Sequence, residues 1–166
     1  MKKLTKSLKK YNPKIYKITA TEKTKNFIYA QKLIENILKH NLSRSDCIIS
    51  FGGGITGDLS AFVSNLTKRG IKFINIPTTL LAQVDASIGG KTAVNSQQGK
   101  NLIGTFYQPD FVLIDISILN NLPKREMICG YGEILKHSLI LNRNFFYGYV
   151  KTQKKSSTTK IKKLQN

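Results

Sequence analysis

Apolar and polar positions follow two rhythms along this chain, and the rhythm changes at glycines and prolines. Lys14-Ile15-Tyr16-Lys17-Ile18-Thr19 alternates with a period of two and predicts a short strand. Phe27, Ala30, Leu33, Ile34, Ile37 and Leu38 recur at helical spacing and predict a helix over about 25–40, with Asn41 to Asp46 as the turn out of it. Cys47–Phe51 is a short apolar run that predicts a buried strand. A second helix is expected over about 55–67, burying Leu59, Phe62, Val63 and Leu66, with Gly70 placed as its C-terminal cap. Ile71–Ile76 predicts another strand, stopped by Pro77, and Thr78 or Thr79 can cap a helix near 79–87. Residues 88–101 are rich in Gly, Lys and Asn and read as a loop. Phe111–Asp115 predicts a further strand, Leu119 and Leu122 a short turn, and Pro123 the start of a long helix over about 123–141. Phe145, Phe146, Tyr147, Tyr149 and Val150 close the apolar pattern, and a frayed tail is expected after Lys151. Strands that alternate with helices imply an α/β fold with a parallel sheet.

Length and composition narrow this only slightly. The 166 residues suit one domain, or one domain and a piece of another, and an apolar fraction of 40% is enough for a core. The net charge of +18 suggests a polyanion partner until its distribution is examined. Residues 1–25 carry nine lysines and 151–166 carry six, so these ends hold 15 of the 27 basic residues with one acid, Glu22. Only four basic residues are Arg, whereas nucleic-acid surfaces favour Arg for bidentate and stacked contacts. Solvated lysine tails are therefore expected rather than a nucleic-acid site. Cys47 and Cys129 belong to no paired motif and are expected to be reduced core thiols of a cytoplasmic protein. The basic N-terminus lacks the apolar run of a secretory signal, and no window reaches the length of a membrane span.

Three constellations carry candidate chemistry. Gly52-Gly53-Gly54-Ile55-Thr56-Gly57 fits G-x-G-x-x-G between a predicted strand and a predicted helix, where glycines admit a pyrophosphate and free N–H groups bind its charge. No acid lies about 20 residues further on, so the usual dinucleotide fingerprint is incomplete, and a tight strand–helix turn uses the same glycines. Asp58 is either a dipole-favoured residue of the first helical turn or a ribose ligand. Lys91 and Lys100 sit in glycine-rich segments beside Asn95 and Asn101, with Arg69 and Asp85 flanking them, and suit an anionic substrate. Glu133, Lys136 and His137 share a helix, and Glu133 and His137 face the same way. They could share a metal, although two ligands do not make a site. His40 reads as a surface residue at the end of the first helix.

Taken together, these segments resemble the 3-dehydroquinate synthases. The matching stretches are Gly52–Asp58, Lys68–Gly70, Ile76–Asn95, Gly99–Pro109, Leu122–Glu126 and Gly132–Lys136, in the same order and spacing, within about 20–150. Ala20–Lys25 is similar to the family's adenosine-side segment. The resemblance implies a Rossmann-like α/β domain followed by the start of a helical C-terminal domain. It implies NAD recycled within a turnover, and a divalent metal, zinc or cobalt. It also implies a phosphorylated seven-carbon sugar acid that loses phosphate and closes to a ring. By position, Glu22, Lys25, Gly54, Ile55, Thr56, Gly57, Asp58, Thr78, Thr79, Lys91 and Lys100 resemble cofactor contacts. Arg69, Asp85, Lys91, Lys100, Asn101 and Lys136 resemble catalytic, substrate-side groups, and Glu133 resembles a metal ligand. The segment Ile118–Asn121 also resembles a cofactor contact.

The resemblance stops after Val150, before the family's helical domain with its two metal-binding histidines, whose positions neither His40 nor His137 occupies. The family's extreme N-terminal strand region is also not matched. The expected organisation is a basic lead at 1–13, an NAD-binding domain at 14–122, the first helices of a second domain at 123–150 and a basic tail at 151–166. This looks like a truncated synthase with little cyclase activity alone. Its expected partners are the sugar-acid phosphate and either a second copy of itself or a polypeptide supplying the C-terminal half. Two other readings stay open: another sugar-phosphate cyclase, such as a 2-deoxy-scyllo-inosose synthase, and a polyanion-binding protein acting through its lysine tails.

Overall fold

The computed structural model describes residues 2–141, 144–148, 150 and 151. The tail expected to be frayed, and Tyr149 of the last apolar cluster, therefore lie outside the described residues, apart from Lys151. Strand β1 (Cys47–Gly52) pairs in parallel with β2 (Lys72–Pro77), from Cys47 opposite Lys72 to Gly52 opposite Pro77. The far edge of β2 takes β5 (Phe111–Val112), giving the sheet order β1-β2-β5. Parallel neighbours need a crossover, and α3 (Gly54–Leu66) supplies it between β1 and β2. The predicted α/β fold with a parallel, Rossmann-like sheet and flanking helices is thus the observed one.

Helix α3 is buried on most of its circumference. Leu59, Phe62 and Val63 meet Ala30 and Ile37 of α2 (Phe27–Leu38) and Val94 in the main apolar cluster. Its other faces bury Ser60, Ala61 and Ser64. The hydroxyls of Ser64 and Thr67 donate to the carbonyls of Ser60 and Val63, both at 2.7 Å, so burial leaves them satisfied. Leu66, expected in the core, is 41% exposed, because the helix ends there and the chain turns away. Lys68, Arg69 and Gly70 then all have positive φ, and Gly70, at 110°, caps the short turn Thr67–Arg69 rather than α3, whose own cap is Thr67. Helix α2 starts at an Asn26 cap, whose side chain accepts from Tyr29 N–H at 2.8 Å.

Four further sequence expectations fail, each for a visible reason. Lys14–Thr19 forms no strand, since its alternation serves packing instead. Tyr16 and Ile18 lie against the core cluster, and the Tyr16 hydroxyl donates to the Asn36 carbonyl at 3.0 Å. Residues 88–101 are not a loop, because most of them belong to an antiparallel hairpin of β3 (Lys91–Ser96) and β4 (Gly99–Phe106). Thr92 and Val94 are its buried face, and Thr92 is satisfied by the Thr105 hydroxyl at 2.9 Å. The strand expected over Phe111–Asp115 pairs only at its first two residues, although Leu113 N–H still donates to Asn75 at 2.9 Å. Cys47 and Cys129 are exposed rather than core thiols.

The lead at 1–13 contains a short helix, α1 (Lys2–Ser7), and a helical turn at Lys9–Tyr11. After β2 comes a π-helical turn, Ala82–Ala86, against which α4 (Lys124–Leu141) packs. No helix among the described residues is long and apolar enough to cross a membrane.

The approach of α4 to the π-helical turn is set by Gly130, where an added Cβ would lie 2.5 Å from Leu80 Cγ and 2.8 Å from Leu81 N. Gly132, two residues on, has nothing within 4 Å. Gly130→Ala is therefore expected to destabilise the chain by about 1–3 kcal/mol through overpacking. Gly132→Ala should be neutral or stabilising by up to about 1 kcal/mol through helix propensity. Urea unfolding of the two variants checks this; equal effects would mean that α4 does not pack here.

Candidate functional site

The glycine turn lies at the carboxyl ends of β1 and β2, where open parallel sheets bind ligands. Gly53 caps α3 in extended conformation without a side chain. The turn is compact: a Cβ on Gly52 would lie 2.6 Å from that of Thr56, and one on Gly53 would lie 3.1 Å from Thr79 Cγ2. Thr78 N–H donates to the Gly52 carbonyl at 2.9 Å, joining the ends of the two strands. The Thr79 hydroxyl accepts from Ala82 N–H at 3.2 Å and caps the segment that follows. The first helical bond of α3 runs from Gly57 N–H to the Gly53 carbonyl at 3.0 Å. The N–H groups of Gly54, Ile55 and Thr56 thus precede the helical ladder and, with the helix dipole, favour an anion.

One turn into α3, Asp58 meets a buried cation. Lys25 is 4% exposed, and its ammonium donates to Asp58 Oδ2 at 2.5 Å and to Asn101 Oδ1 at 2.7 Å. Asn101 adopts φ 57° on β4, and its N–H donates to Asn95 Oδ1 at 3.0 Å. The Asn95 amide in turn donates to Glu22 Oε2 at 2.8 Å, and Lys100 lies 3.9 Å from the same carboxylate. Burial holds the Asp58 carboxyl above its ordinary range; the hydrogen bond and charge of Lys25 pull it down without cancelling that, and Glu22 and Asp85 add to the rise.

A second cluster forms where α4 crosses the π-helical turn. His137 Nε2 lies 3.5 Å from Glu133 Oε1 and 3.8 Å from Asp85 Oδ1. Lys136 forms an ion pair with Glu133 Oε1, yet that oxygen has no hydrogen bond of acceptable geometry, and neither has His137 Nε2. The two clusters are neighbours, since a Cβ on Gly54 would lie 3.5 Å from that of Ala86, the residue after Asp85.

Of the residues singled out from the sequence, Glu22, Lys25, Asp58, Lys100 and Asn101 fall in one network, and Asp85, Glu133 and Lys136 in the other. Gly54–Gly57, Thr78 and Thr79 line the turn between β1 and α3. Lys91 opens β3, exposed, after a turn in which Gly89 and Gly90 take positive φ. Arg69 is not brought to either network. It lies beyond the opposite end of α3, about 20 Å of helix from the glycine turn. Asn95, singled out only as a neighbour of the lysines, is the hub of its network. Contact of His137 with Asp85 left no mark in the sequence, because the two belong to elements far apart in the chain.

The sequence model of the 3-dehydroquinate synthase N-terminal family matches residues 15–129. The 3-dehydroquinate synthase of Pelagibacter ubique (strain HTCC1062) is 57% identical over 150 residues, which is 90% of this chain and 41% of that protein. The chain therefore spans about two-fifths of the length of this curated relative. A crystal structure of 2-deoxy-scyllo-inosose synthase, complexed with carbaglucose-6-phosphate, NAD+ and Co2+, superposes with a TM-score of 0.76 at 35% identity, covering 78% of this chain and 35% of that one. A 2-epi-5-epi-valiolone synthase from Streptomyces hygroscopicus subsp. jinggangensis 5008, with NAD+ and Zn2+ bound, does so with a TM-score of 0.75 at 30% identity, covering 81% and 38%.

The Lys25–Asp58 pair has a definite signature in pH. A raised carboxyl pKa favours the folded state below its unfolded value, and this contribution is lost as pH rises through the folded value. Lys25→Met removes the cation that restrains the rise, so it is expected to cost about 3 kcal/mol at neutral pH, the low end for a broken buried pair. The penalty relative to the unaltered chain should shrink as pH falls from neutral, because a protonated Asp58 needs no cation. Urea unfolding at several pH values checks this, and a penalty independent of pH would contradict it.

Proposed function

The chain belongs to the 3-dehydroquinate synthase family, and we propose that it is the nucleotide-binding part of an NAD- and divalent-metal-dependent sugar-phosphate cyclase. The reaction assigned is that of a carbon–oxygen lyase, converting 3-deoxy-arabino-heptulosonate 7-phosphate to 3-dehydroquinate and phosphate. The observation that carries this reading is the placement of the α3 N-terminus beside both side-chain networks, at the carboxyl ends of β1 and β2. On this reading residues 14–122 are the nucleotide-binding domain and 123–150 open a second one.

The N–H groups of Gly54, Ile55 and Thr56 bind the pyrophosphate of the dinucleotide. Glu22, Lys25 and Asp58 face its ribose groups, with Thr78 and Thr79 closing the turn from β2. Lys91, Lys100 and Asn101, on the hairpin, bind the phosphate and carboxylate of the substrate, and Asp85 and Lys136 face its hydroxyls. Arg69 lies too far along α3 to join them within this one chain. Bound NAD supplies reversible hydride uptake, which acidifies the C–H beside the oxidised carbon. Glu133, whose Oε1 lies out of solvent contact with the half-exposed Lys136 ammonium against it, would hold the metal, and there it would polarise the reacting oxygens.

A second cyclase reading, of the 2-deoxy-scyllo-inosose type, is favoured by the superposition on that enzyme at a TM-score of 0.76. Sequence favours dehydroquinate, at 57% identity against 35%. A polyanion-binding function rests on net charge alone.

Binding measured on this chain tests the proposal directly. NAD is expected to bind, and Gly53→Val, whose side chain would press on Thr79, should abolish binding while the circular dichroism stays unchanged. In the NAD complex the heptulosonate phosphate should bind more tightly than glucose 6-phosphate, and Lys91→Met should weaken it about tenfold or more. Absence of NAD binding would sink the proposal, and preference for the hexose phosphate would favour the second cyclase.

A further inference from the structure

Between Val94 and Ser96 the two strands of the hairpin fall out of step. Val94 pairs with Ile103 and Ser96 with Gly99, so Asn95 alone on β3 stands opposite Lys100, Asn101 and Leu102 on β4. A bulge of this kind re-aims the side chains it carries, and two of these, Lys100 and Asn101, are assigned above to the substrate. We propose that Asn95 is a positioning residue that pins this bulge and ties it to Glu22, so that the nucleotide side and the substrate side of the site keep one geometry. The proposal deepens the cyclase reading and rests on it for the ligands named. The resemblance gives Asn95 no role; its role comes from the geometry.

The carboxamide of Asn95 is used at both ends. Its Oδ1 accepts from Asn101 N–H at 3.0 Å, and its Nδ2 donates to Glu22 Oε2 at 2.8 Å and to the Glu22 carbonyl at 3.1 Å. A backbone N–H faces one end and two oxygens face the other, so the partners fix which way the amide points. A carboxylate of the same shape would set a third oxygen against those two. An apolar side chain would abandon the N–H and both oxygens. The backbone adds another tie, since Asn95 N–H donates to the Lys25 carbonyl at 2.7 Å. The buried Lys25 ammonium in turn donates to Asn101 Oδ1 at 2.7 Å. Asn95, Lys25 and Asn101 thus close a ring of hydrogen bonds, to which Glu22 is joined from outside.

What the ring holds in place is the left-handed Asn101. A φ of 57° is open to asparagine, but it persists only where neighbours impose it. Hydrogen bonds at the Asn101 N–H and at its side-chain oxygen do so. Lys100, the residue before it, is carried on the same bulge, and its ammonium lies 3.9 Å from the Glu22 carboxylate. The Glu22 side chain is half exposed, so the Asn95 amide rather than burial keeps its carboxylate in one place. A ligand held by Glu22 and a ligand held by Lys100 and Asn101 therefore meet through one side chain.

The test titrates the full chain calorimetrically with NAD, then titrates the NAD complex with the heptulosonate phosphate. The charged groups around the amide are Glu22, Lys100 and the Lys25–Asp58 pair, so each affinity is read as a ratio to the unaltered chain at the same pH. Asn95→Asp keeps the acceptor for Asn101 but sets a carboxylate against Glu22, and it is expected to weaken NAD about tenfold at neutral pH while sparing the heptulosonate phosphate. The loss should fade as pH falls, because one proton shared between the two carboxylates restores the hydrogen bond. It should also vanish in the Glu22→Gln background, where an amide again faces a carboxylate. Asn95→Leu abandons both ends and should weaken both ligands, each about tenfold, at every pH. Circular dichroism of each variant separates lost positioning from lost fold. An Asn95→Asp chain that binds NAD as tightly as the unaltered one overturns the proposal. So does a loss that is independent of pH and additive with Glu22→Gln, the mark of a merely structural role. Either result, with NAD bound by the unaltered chain, defeats this inference and leaves the cyclase reading standing, whereas an unaltered chain that binds no NAD defeats that reading and this inference with it.

Discussion

A single buried ammonium ties the working part of this molecule together. Lys25 is nearly inaccessible to water, and a charge so placed persists only if its neighbours replace the lost hydration. Asp58 and Asn101 do so, from the first part of α3 and from β4. The backbone of the same residue accepts a hydrogen bond from Asn95 at 2.7 Å, on the other strand of the hairpin. Three segments with no sequence proximity are therefore fixed against one another by a side chain that gains nothing from partial contact. Burial of such a pair adds little net stability but makes alternative arrangements expensive, since any slip of the hairpin leaves a charge unpaired. The left-handed conformation of Asn101 fits this account, as strain tolerated where the surrounding structure over-determines it.

From that joint the geometry extends to α4 through close approaches of backbone. Gly54 abuts Ala86, and Gly130 lets α4 close onto the Leu80 side chain and the Leu81 backbone, so α3, the π-helical turn and α4 are neighbours. The consequence is functional. The free N–H groups at the head of α3 and a carboxylate on α4 come into one region, although about half of the chain separates them in sequence. A side chain at Gly130, where an added Cβ would lie 2.5 Å from Leu80 Cγ, would force α4 away from this turn.

Much of the fold was legible because its apolar rhythm is strong. Helices α2, α3 and α4, and strands β1 and β2, lie close to where periodicity places them, since each buries one stripe or one short run. The hairpin was not legible, because its buried face includes Thr92, polar by letter and apolar by behaviour once Thr105 satisfies it. Lys14–Thr19 misled in the opposite sense: alternation requires only that one side face the core, and Tyr16 and Ile18 meet that condition against α2 without any strand partner. For the candidate site, the glycine turn and the motif-bearing lysines were visible as letters. The Asp85–His137 contact was not, because no local pattern encodes a meeting between a π-helical turn and a distant helix. Arg69 shows the converse limit, since closeness in motif order did not become closeness in space within this chain.

Charge in this molecule is informative by its minority sign. With 27 basic residues, a lysine near any given feature carries little information, because one is near almost everything. Carboxylates number nine, and four of them, Glu22, Asp58, Asp85 and Glu133, belong to the two networks around the head of α3. Gathering like charges is unfavourable: Glu22 and Asp85 both push the Asp58 carboxyl upward, in the same direction as its burial. Lys25, Lys100 and Lys136 offset that cost, each against one of these carboxylates. The composition that first suggests a polyanion surface thus surrounds a site whose distinguishing feature is concentrated negative charge beside a helix N-terminus. That pairing suits a ligand set of mixed sign better than it suits a nucleic-acid backbone.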